Sequence, residues 1–192
     1  MRNAILAALL LTTAACTTIP AAEAPPPVSG EQGDYNLAEQ RAKIARIDMD
    51  PNTSSLNAEE RQVVNLLIQA AELMNPIYLR QRYVTNPQIR DQIEASSHPQ
   101  RALLLDMYDL HFGPWDTLAE NRPFWGSTPW PEGAGFYPTD LGKEDFEAYL
   151  AANPGQREAL TSPYTVVRRE GERLVAVPYS VEYRQWLEPA AR

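Results

Sequence analysis

Few side chains in this sequence suit metal or nucleophilic chemistry. The chain has two histidines, His98 and His111, and a single cysteine, Cys16. The H-E-x-x-H pattern of zinc hydrolases is absent, and no Cys/His cluster has the spacing of a zinc site. A G-x-S-x-G elbow and a glycine-rich phosphate loop are absent as well. The sequence therefore predicts no catalytic residue and no metal ligand within this chain.

Carboxylates offer a second kind of chemistry near the middle of the chain. Four aspartates there could supply an acid–base pair or hold a hard metal ion: Asp106, Asp109, Asp116 and Asp140. Such residues more commonly cap helices and stabilise turns. A small hydrolase that works through these carboxylates is therefore kept as a third hypothesis only.

The most unusual stretch is the aromatic loop, residues 108–137, which carries eight aromatic residues, four prolines and four glycines. Proline lacks the N–H that helices and sheets need, so this density predicts a long irregular loop. The rings could form a stacking platform for a peptide or a sugar, or they could cover the domain's own core. The candidate ligand contacts are His111, Trp115, Asp116, Trp125 and Tyr137.

Helices are expected to position this loop. Asn57 and Glu60 form a capping box that opens a helix over 58–75, whose apolar stripe is predicted to lie in the core. Asn86 is predicted to cap a helix over 87–95, and another follows over 99–110. The alternation over 45–49 suits a short strand or extended arm, although a helix over 36–47 fits nearly as well.

Beyond the loop, Gly142 can cap a helix over 143–152. Two β-rich runs, 164–168 and 174–179, flank a glycine turn and predict a hairpin. A last helix is expected over 181–191. The predicted fold class is α+β, mostly helical, with one β-hairpin near the C-terminus and the long aromatic, proline-rich loop.

The N-terminus reads as a targeting segment. Arg2 precedes an apolar run and small residues, which predicts a signal peptide over 1–15. The sequence Thr13-Ala14-Ala15-Cys16 resembles the lipobox of bacterial lipoproteins, with Thr13 where leucine is usual. This predicts lipidation of Cys16 and a membrane-anchored protein on the periplasmic side of a bacterial envelope. An ordinary cleaved signal is the alternative.

Residues 16–36 are rich in Ala, Pro, Thr and Ser, and they predict a tether between the membrane and one domain over 37–192. The chain has a net charge of −8 and a sequence pI near 4.8. A nucleic-acid partner is not expected, because phosphate binding requires a basic face.

Four stretches resemble the N-terminal region of bacterial dipeptidyl peptidase III-like zinc metallopeptidases. They read SLNAEERQVVNLLIQAAELMNPIYLRQ (55–81), LLDMYDLHFGPWDTLAENRPFWG (104–126), PEGAGFYPTDLGKEDFEAYL (131–150) and SPYTVVRREGERLVAVPYS (162–180). The resemblance is carried by their order, and it covers nearly all of the predicted domain.

The resemblance implies a peptidase for short peptides whose zinc is held by an H-E-x-x-G-H motif and a downstream acidic motif. Neither motif occurs in this chain, so no catalytic or metal residue is carried over. The leading hypothesis is therefore a portion that is inactive alone and that packs on the remainder of a longer polypeptide. The second hypothesis is a free-standing lipoprotein that binds ligands through the aromatic loop or the hairpin edge.

Overall fold

The computed structural model describes residues 35–192 of the chain. Five helices form its first half. They are α1 (Leu37–Ala42), α2 (Ala58–Glu72), α3 (Asn75–Arg82), α4 (Asn86–Ala95) and α5 (Arg101–His111). Residues 43–56, between α1 and α2, are irregular rather than a strand. The predicted signal peptide and Cys16 lie outside the described residues.

Short elements follow the first half of the chain. The aromatic loop contains a two-residue ladder between β1 (Trp115–Asp116) and β2 (Arg122–Pro123). After the loop come α6 (Lys143–Ala152), a 3-10 turn (Pro154–Gln156) and α7 (Arg157–Leu160). An antiparallel hairpin of β3 (Thr165–Glu170) and β4 (Arg173–Pro178) precedes α8 (Tyr179–Glu182) and α9 (Arg184–Ala190). The α+β, mostly helical class is confirmed, with one small hairpin more than predicted.

Helix α2 begins at the predicted capping box, but its apolar face is exposed rather than buried in the core. The Asn57 side chain accepts from the Glu60 N–H, and the Glu60 carboxylate accepts from the Asn57 N–H. None of its residues is buried. Val63 and Leu67, expected in the core, are 55% and 63% exposed. The core prediction for this stripe is wrong, because periodicity identifies an apolar face without supplying its partner.

Two further predictions need correction. Asn86 does not cap α4 from outside: it lies at the first helical position, is fully buried, and donates from Nδ2 to the Leu79 and Phe112 carbonyls. The last helix is not continuous, because Tyr183, itself buried, separates α8 from α9.

Three buried clusters hold the described residues together. The first lies between α1, α4, α5 and the aromatic loop, and includes Tyr108, Phe124 and Trp125. The second joins α6 and α7 to the hairpin, and the third joins α3 to β3 and Tyr183. Tyr35 packs on the first cluster and Asn36 caps α1, so the ordered contacts start within the stretch assigned to the tether.

Backbone contacts fix the aromatic loop on α3. The Gly135 N–H donates to the Gln81 carbonyl at 2.7 Å. A Cβ at Gly135 would lie 1.7 Å from the Arg80 carbonyl oxygen, so only glycine allows this approach. Phe136 O then accepts from the Val167 N–H, which ties the loop to the hairpin. Within residues 35–192, no helix has both the length and the hydrophobicity needed to cross a bilayer.

Candidate functional site

The first four residues of the aromatic loop, 108–111, belong to α5, and its irregular part begins at Phe112, where the helix ends in a tight reversal. Phe112 adopts the left-handed region, with φ of 51°, and Gly113 follows with φ of 148°. A Cβ on Gly113 would lie 3.1 Å from the Trp115 ring and 3.2 Å from the Asn86 amide. The buried Asn86 amide cannot move away from such a Cβ, because it donates a hydrogen bond to the Phe112 carbonyl. This packing turns the chain so that His111 and Asp116 face each other.

His111 and Asp116 form the centre of a buried polar cluster. Asp116 is fully buried and His111 is 5% exposed. The Tyr35 hydroxyl donates to Asp116 Oδ2 at 2.9 Å, and the Leu118 N–H donates to Oδ1 at 2.8 Å. His111 Nε2 lies 3.6 Å from Asp116 Oδ1, which is longer than a hydrogen bond. The cluster thus joins Tyr35, the first described residue, to the aromatic loop.

The protonation of His111 follows from its partners. Its Nδ1 accepts the Thr117 N–H at 3.3 Å and lies 2.9 Å from Thr117 Oγ1, so the ring proton is on Nε2. Burial lowers the pKa of His111, the nearby charge of Asp116 opposes this, and Arg82 lowers it further. His111 is therefore neutral near pH 7. Burial and the bond to Asp116 raise the pKa of Tyr35, which keeps its hydroxyl protonated.

Thr117, His111 and Asp116 have the order of a nucleophile, base and orienting acid. The geometry does not support that chemistry. The Thr117 N–H and hydroxyl share the one lone pair of Nδ1, and burial lowers the pKa of His111, so Nδ1 is a weak base for the hydroxyl proton. The 3.6 Å contact to Asp116 leaves Nε2 without a hydrogen bond. The cluster is a structural latch between Tyr35 and the aromatic loop.

The two tryptophans predicted to contact a ligand are core residues. Trp115 is fully buried and donates from Nε1 to the Thr128 carbonyl at 2.9 Å. Trp125 is 8% exposed and packs in the first cluster, with its ring nearly perpendicular to that of His98. Their rings are therefore covered by the protein itself, as expected if the aromatic loop covers the domain's own core rather than forming a platform for a ligand.

An open groove lies on the outer side of the aromatic loop. Its aromatic walls are Tyr83, Trp130, Tyr137 and Phe146, all half-buried, and we call it the aromatic groove. Its two adjoining parts have volumes of about 480 Å³ and 240 Å³. Of the five predicted contacts, Tyr137 lines it directly and Trp115 lies behind it.

The groove walls are held by ring contacts. The Trp130 and Trp115 rings are nearly perpendicular with 5.2 Å between centroids, and Tyr83 packs on Trp115 in the same way at 5.4 Å. The Arg82 guanidinium lies 4.3 Å from the centre of the Trp130 ring. Trp115 thus acts as the floor that orients both walls. Sequence analysis did not identify three of the wall residues, Tyr83, Trp130 and Phe146. The two prolines beside Trp130 were an available signal, because they keep this segment out of helices and sheets.

The four aspartates considered for catalysis each have a separate partner. Asp106 pairs with Arg41 and Arg46, Asp109 with Arg90, and Asp140 with Arg169. Asp116 accepts from Tyr35 and Leu118. Each carboxylate thus has a structural role in the fold.

The described residues also do not fit the zinc that the resemblance implies. Among residues 35–192, no group of three His, Cys, Asp or Glu side chains could hold a metal ion. His98 contacts Trp125, whereas His111 Nδ1 is engaged by Thr117. No step of chemistry through zinc is therefore derived from these residues.

Comparison with known proteins supports the resemblance. No protein-family model matches the chain. The solved structure of dipeptidyl peptidase III from Caldithrix abyssi is 42% identical with a TM-score of 0.77, over 80% of this chain and 29% of that one. Dipeptidyl-peptidase III from Corallococcus sp. strain EGB is 32% identical with a TM-score of 0.76, over 81% of this chain and 29% of that one.

A curated relative, Nudix hydrolase 3 of Arabidopsis thaliana, is 22% identical over 85% of this chain and 28% of its own length. The chain thus spans less than a third of each protein it matches. The resemblance to bacterial dipeptidyl peptidase III-like proteins is confirmed, and the coverage is consistent with an N-terminal portion of such a protein.

Proposed function

From the similarity to bacterial dipeptidyl peptidase III, we propose that this chain forms one portion of a zinc peptidase for short peptides and is not catalytic by itself. The observation that carries the proposal is 42% identity over 80% of the chain to the Caldithrix abyssi enzyme. The zinc ligands would come from the remainder of a longer polypeptide, because residues 35–192 hold no suitable group.

The exposed stripe of α2 supports this partner. Exposed apolar side chains follow one another along the helix and include Val63, Leu66, Leu67 and Ile68. Contiguous apolar surface of this kind is unusual on a monomer and commonly marks a site of contact with other protein. The remainder of the polypeptide would cover α2 and complete the domain.

The test is an activity measurement with two forms of the protein. The 1–192 chain should not release a fluorescent amine from a dipeptidyl amide, with or without added zinc, and should not retain zinc after dialysis. A polypeptide that continues into an H-E-x-x-G-H segment should do both. Zinc-dependent hydrolysis by the 1–192 chain alone would disprove the proposal.

We also propose that Cys16 is lipidated and anchors the protein in a bacterial envelope, on the periplasmic side. The support is the sequence pattern around Cys16, since this region lies outside the described residues. Each buried acyl CH₂ contributes about 0.8 kcal/mol, so several chains give a durable anchor. Cys16→Ser should move the protein from the membrane to the soluble fraction and abolish its labelling by a fatty-acid analogue. Unchanged membrane association would reject the anchor.

A free-standing binding module is the second candidate, and the aromatic groove is the observation that favours it. Its half-buried rings can stack on a ligand. The hairpin edge is less suited to binding a strand. On the outer edge of β4 the Leu174 N–H donates to the Tyr149 hydroxyl and Pro178 has no N–H, so Ala176 alone has an outward N–H left. A peptide affinity that disappears with Trp130→Ala would favour this candidate.

A further inference from the structure

The aromatic groove is not used by the proposed peptidase chemistry. Its walls are mainly aromatic rings, with Pro129 and Pro131 beside them, and the charged side chains Glu132, Asp140 and Lys143 complete the lining. The Trp130 ring is already held by Arg82 and Trp115, so little side-chain entropy is lost when a ligand binds to it. Grooves lined by aromatic rings bind proline-rich segments in the extended polyproline conformation. The chemistry of this surface therefore selects a proline-rich peptide.

Such a segment lies in this same chain. Pro25, Pro26 and Pro27 are consecutive, and they belong to the 34 residues that precede the described part. Three consecutive prolines favour the polyproline conformation, which loses little entropy on binding. No other run of three prolines occurs in the sequence.

The connection between this segment and the groove is short enough. Seven residues lie between Pro27 and Tyr35, and the eight Cα–Cα steps of this connection reach about 25 Å at about 3.1 Å per step. Tyr35 is held by Asp116, the neighbour of Trp115, and the Trp115 ring contacts two groove walls. Adjacent side chains of a strand point to opposite faces, so the segment must pass around one edge of the loop. The Trp115 ring centre lies 5.2 Å from that of Trp130 and 5.4 Å from that of Tyr83, so a reach of about 25 Å spans several such separations.

We propose that residues 25–27 bind in the aromatic groove of their own chain. Residues 25–27 would then lie on the outer face of the aromatic loop. The hydrogen bond between Tyr35 and Asp116 would fix the end of the connection that leads to them. A short connection gives an effective concentration of about 1 mM. A groove with a dissociation constant of about 0.1 mM would then be occupied for about nine tenths of the time. This inference does not rest on the proposed peptidase function.

The first test is cleavage by a glutamyl endopeptidase after Glu23, two residues before Pro25, followed by mass spectrometry. Glu23 remains in the purified protein whether or not residues 1–15 are removed. Trp130→Ala and Phe146→Ala should each raise the cleavage rate about tenfold, because the segment is released from a site occupied about nine tenths of the time. Tyr164→Ala, an exposed ring outside the groove, is the matched control and should leave the rate unchanged.

The second test leaves the folded residues intact. A variant with Pro25, Pro26 and Pro27 all replaced by glycine should show more quenching of tryptophan fluorescence by acrylamide, because Trp130 becomes accessible. Adding the same three replacements to Trp130→Ala should change nothing further. If the ring variants cleave at the wild-type rate, or the glycine variant quenches like wild type, the three prolines are only a spacer and the proposal is overturned.

Discussion

At the residue scale, the aromatic loop is fixed by a few side chains whose roles depend on burial. His111 and Asp116 form a latch, because each oxygen of the carboxylate accepts a hydrogen bond, one from Tyr35 and one from Leu118. Both were predicted as ligand contacts because they lie in the aromatic loop. In the structure Thr117 instead engages Nδ1 of His111, and Tyr35 and Leu118 donate to Asp116.

Removing the Tyr35 hydroxyl should weaken the latch. Tyr35→Phe leaves Asp116 Oδ2 buried without its donor, and a hydrogen bond to a charged group contributes about 1.5–3 kcal/mol. We expect a loss of about 2 kcal/mol in the free energy of unfolding, measured by urea denaturation. Tyr164→Phe removes the hydroxyl of a tyrosine that is 75% exposed and should have little effect. Equal losses in the two variants would show that the latch does not hold.

The stability should depend on pH through His111. Its pKa in the folded state is lowered by burial, so the unfolded chain binds a proton more readily. Stability should therefore be constant above the unfolded pKa of about 6.5 and fall as the pH decreases below it, by up to about 1.4 kcal/mol per pH unit. His111→Asn should flatten this slope, and His98→Asn should retain it. Urea midpoints between pH 5 and 8 measure the slope, and a slope that survives His111→Asn would assign it elsewhere.

Gly135 should be intolerant of any side chain. Gly135→Ala places Cβ against the Arg80 carbonyl at 1.7 Å, so the loop or α3 must move. Overpacking of this kind costs about 3 kcal/mol. Gly155→Ala is the matched control, since a Cβ there meets nothing within 4 Å. Urea unfolding of both variants tests the prediction, which fails if Gly135→Ala has the wild-type midpoint.

At the element scale, α2 shows that a helix can form as predicted while its apolar face stays exposed among the described residues. Its capping box satisfies the first backbone donors locally, and Glu59 and Glu60 favour the positive end of the helix dipole. These interactions need nothing beyond the first turn. Burial of Leu67 requires another element, and within residues 35–192 the helix contacts α9 without burying any of its own residues.

Polar substitution on α2 should therefore be harmless to the isolated chain. Leu67→Gln replaces a side chain that is 63% exposed, and we expect a change within about 0.5 kcal/mol. Leu104→Ala, in the first buried cluster, should cost about 2–5 kcal/mol. Thermal melting of the two variants compares them. A large loss with Leu67→Gln would mean that α2 is packed in solution.

At the scale of the whole molecule, the exposed apolar face should make the isolated chain associate. Light scattering of purified protein should show a particle size that rises with concentration, because contiguous apolar surface promotes contact. Leu67→Gln combined with Ile68→Gln should reduce this rise, whereas Tyr164→Phe should not. A monodisperse wild-type chain with little dye-accessible apolar surface would argue against an uncovered face, and with it against the missing partner.

The sequence by itself determined the local features of this protein. The capping box of α2, the start of α6 after Gly142 and the hairpin with its glycine turn at Gly171 all appear as predicted, because each depends on bonds between residues close in the chain. The order of four motifs also identified the resemblance to dipeptidyl peptidase III-like proteins, which the comparisons confirm.

Tertiary structure alone decided which of these residues meet and which are covered. It exposed the stripe of α2, buried Trp115 and Trp125, placed Asn86 under the aromatic loop, and brought Tyr83 and Phe146 to one groove from positions 63 residues apart. Periodicity and composition describe a face without naming its partner. Burial depends on which distant segment packs there, and that choice is set by the whole arrangement of helices and turns.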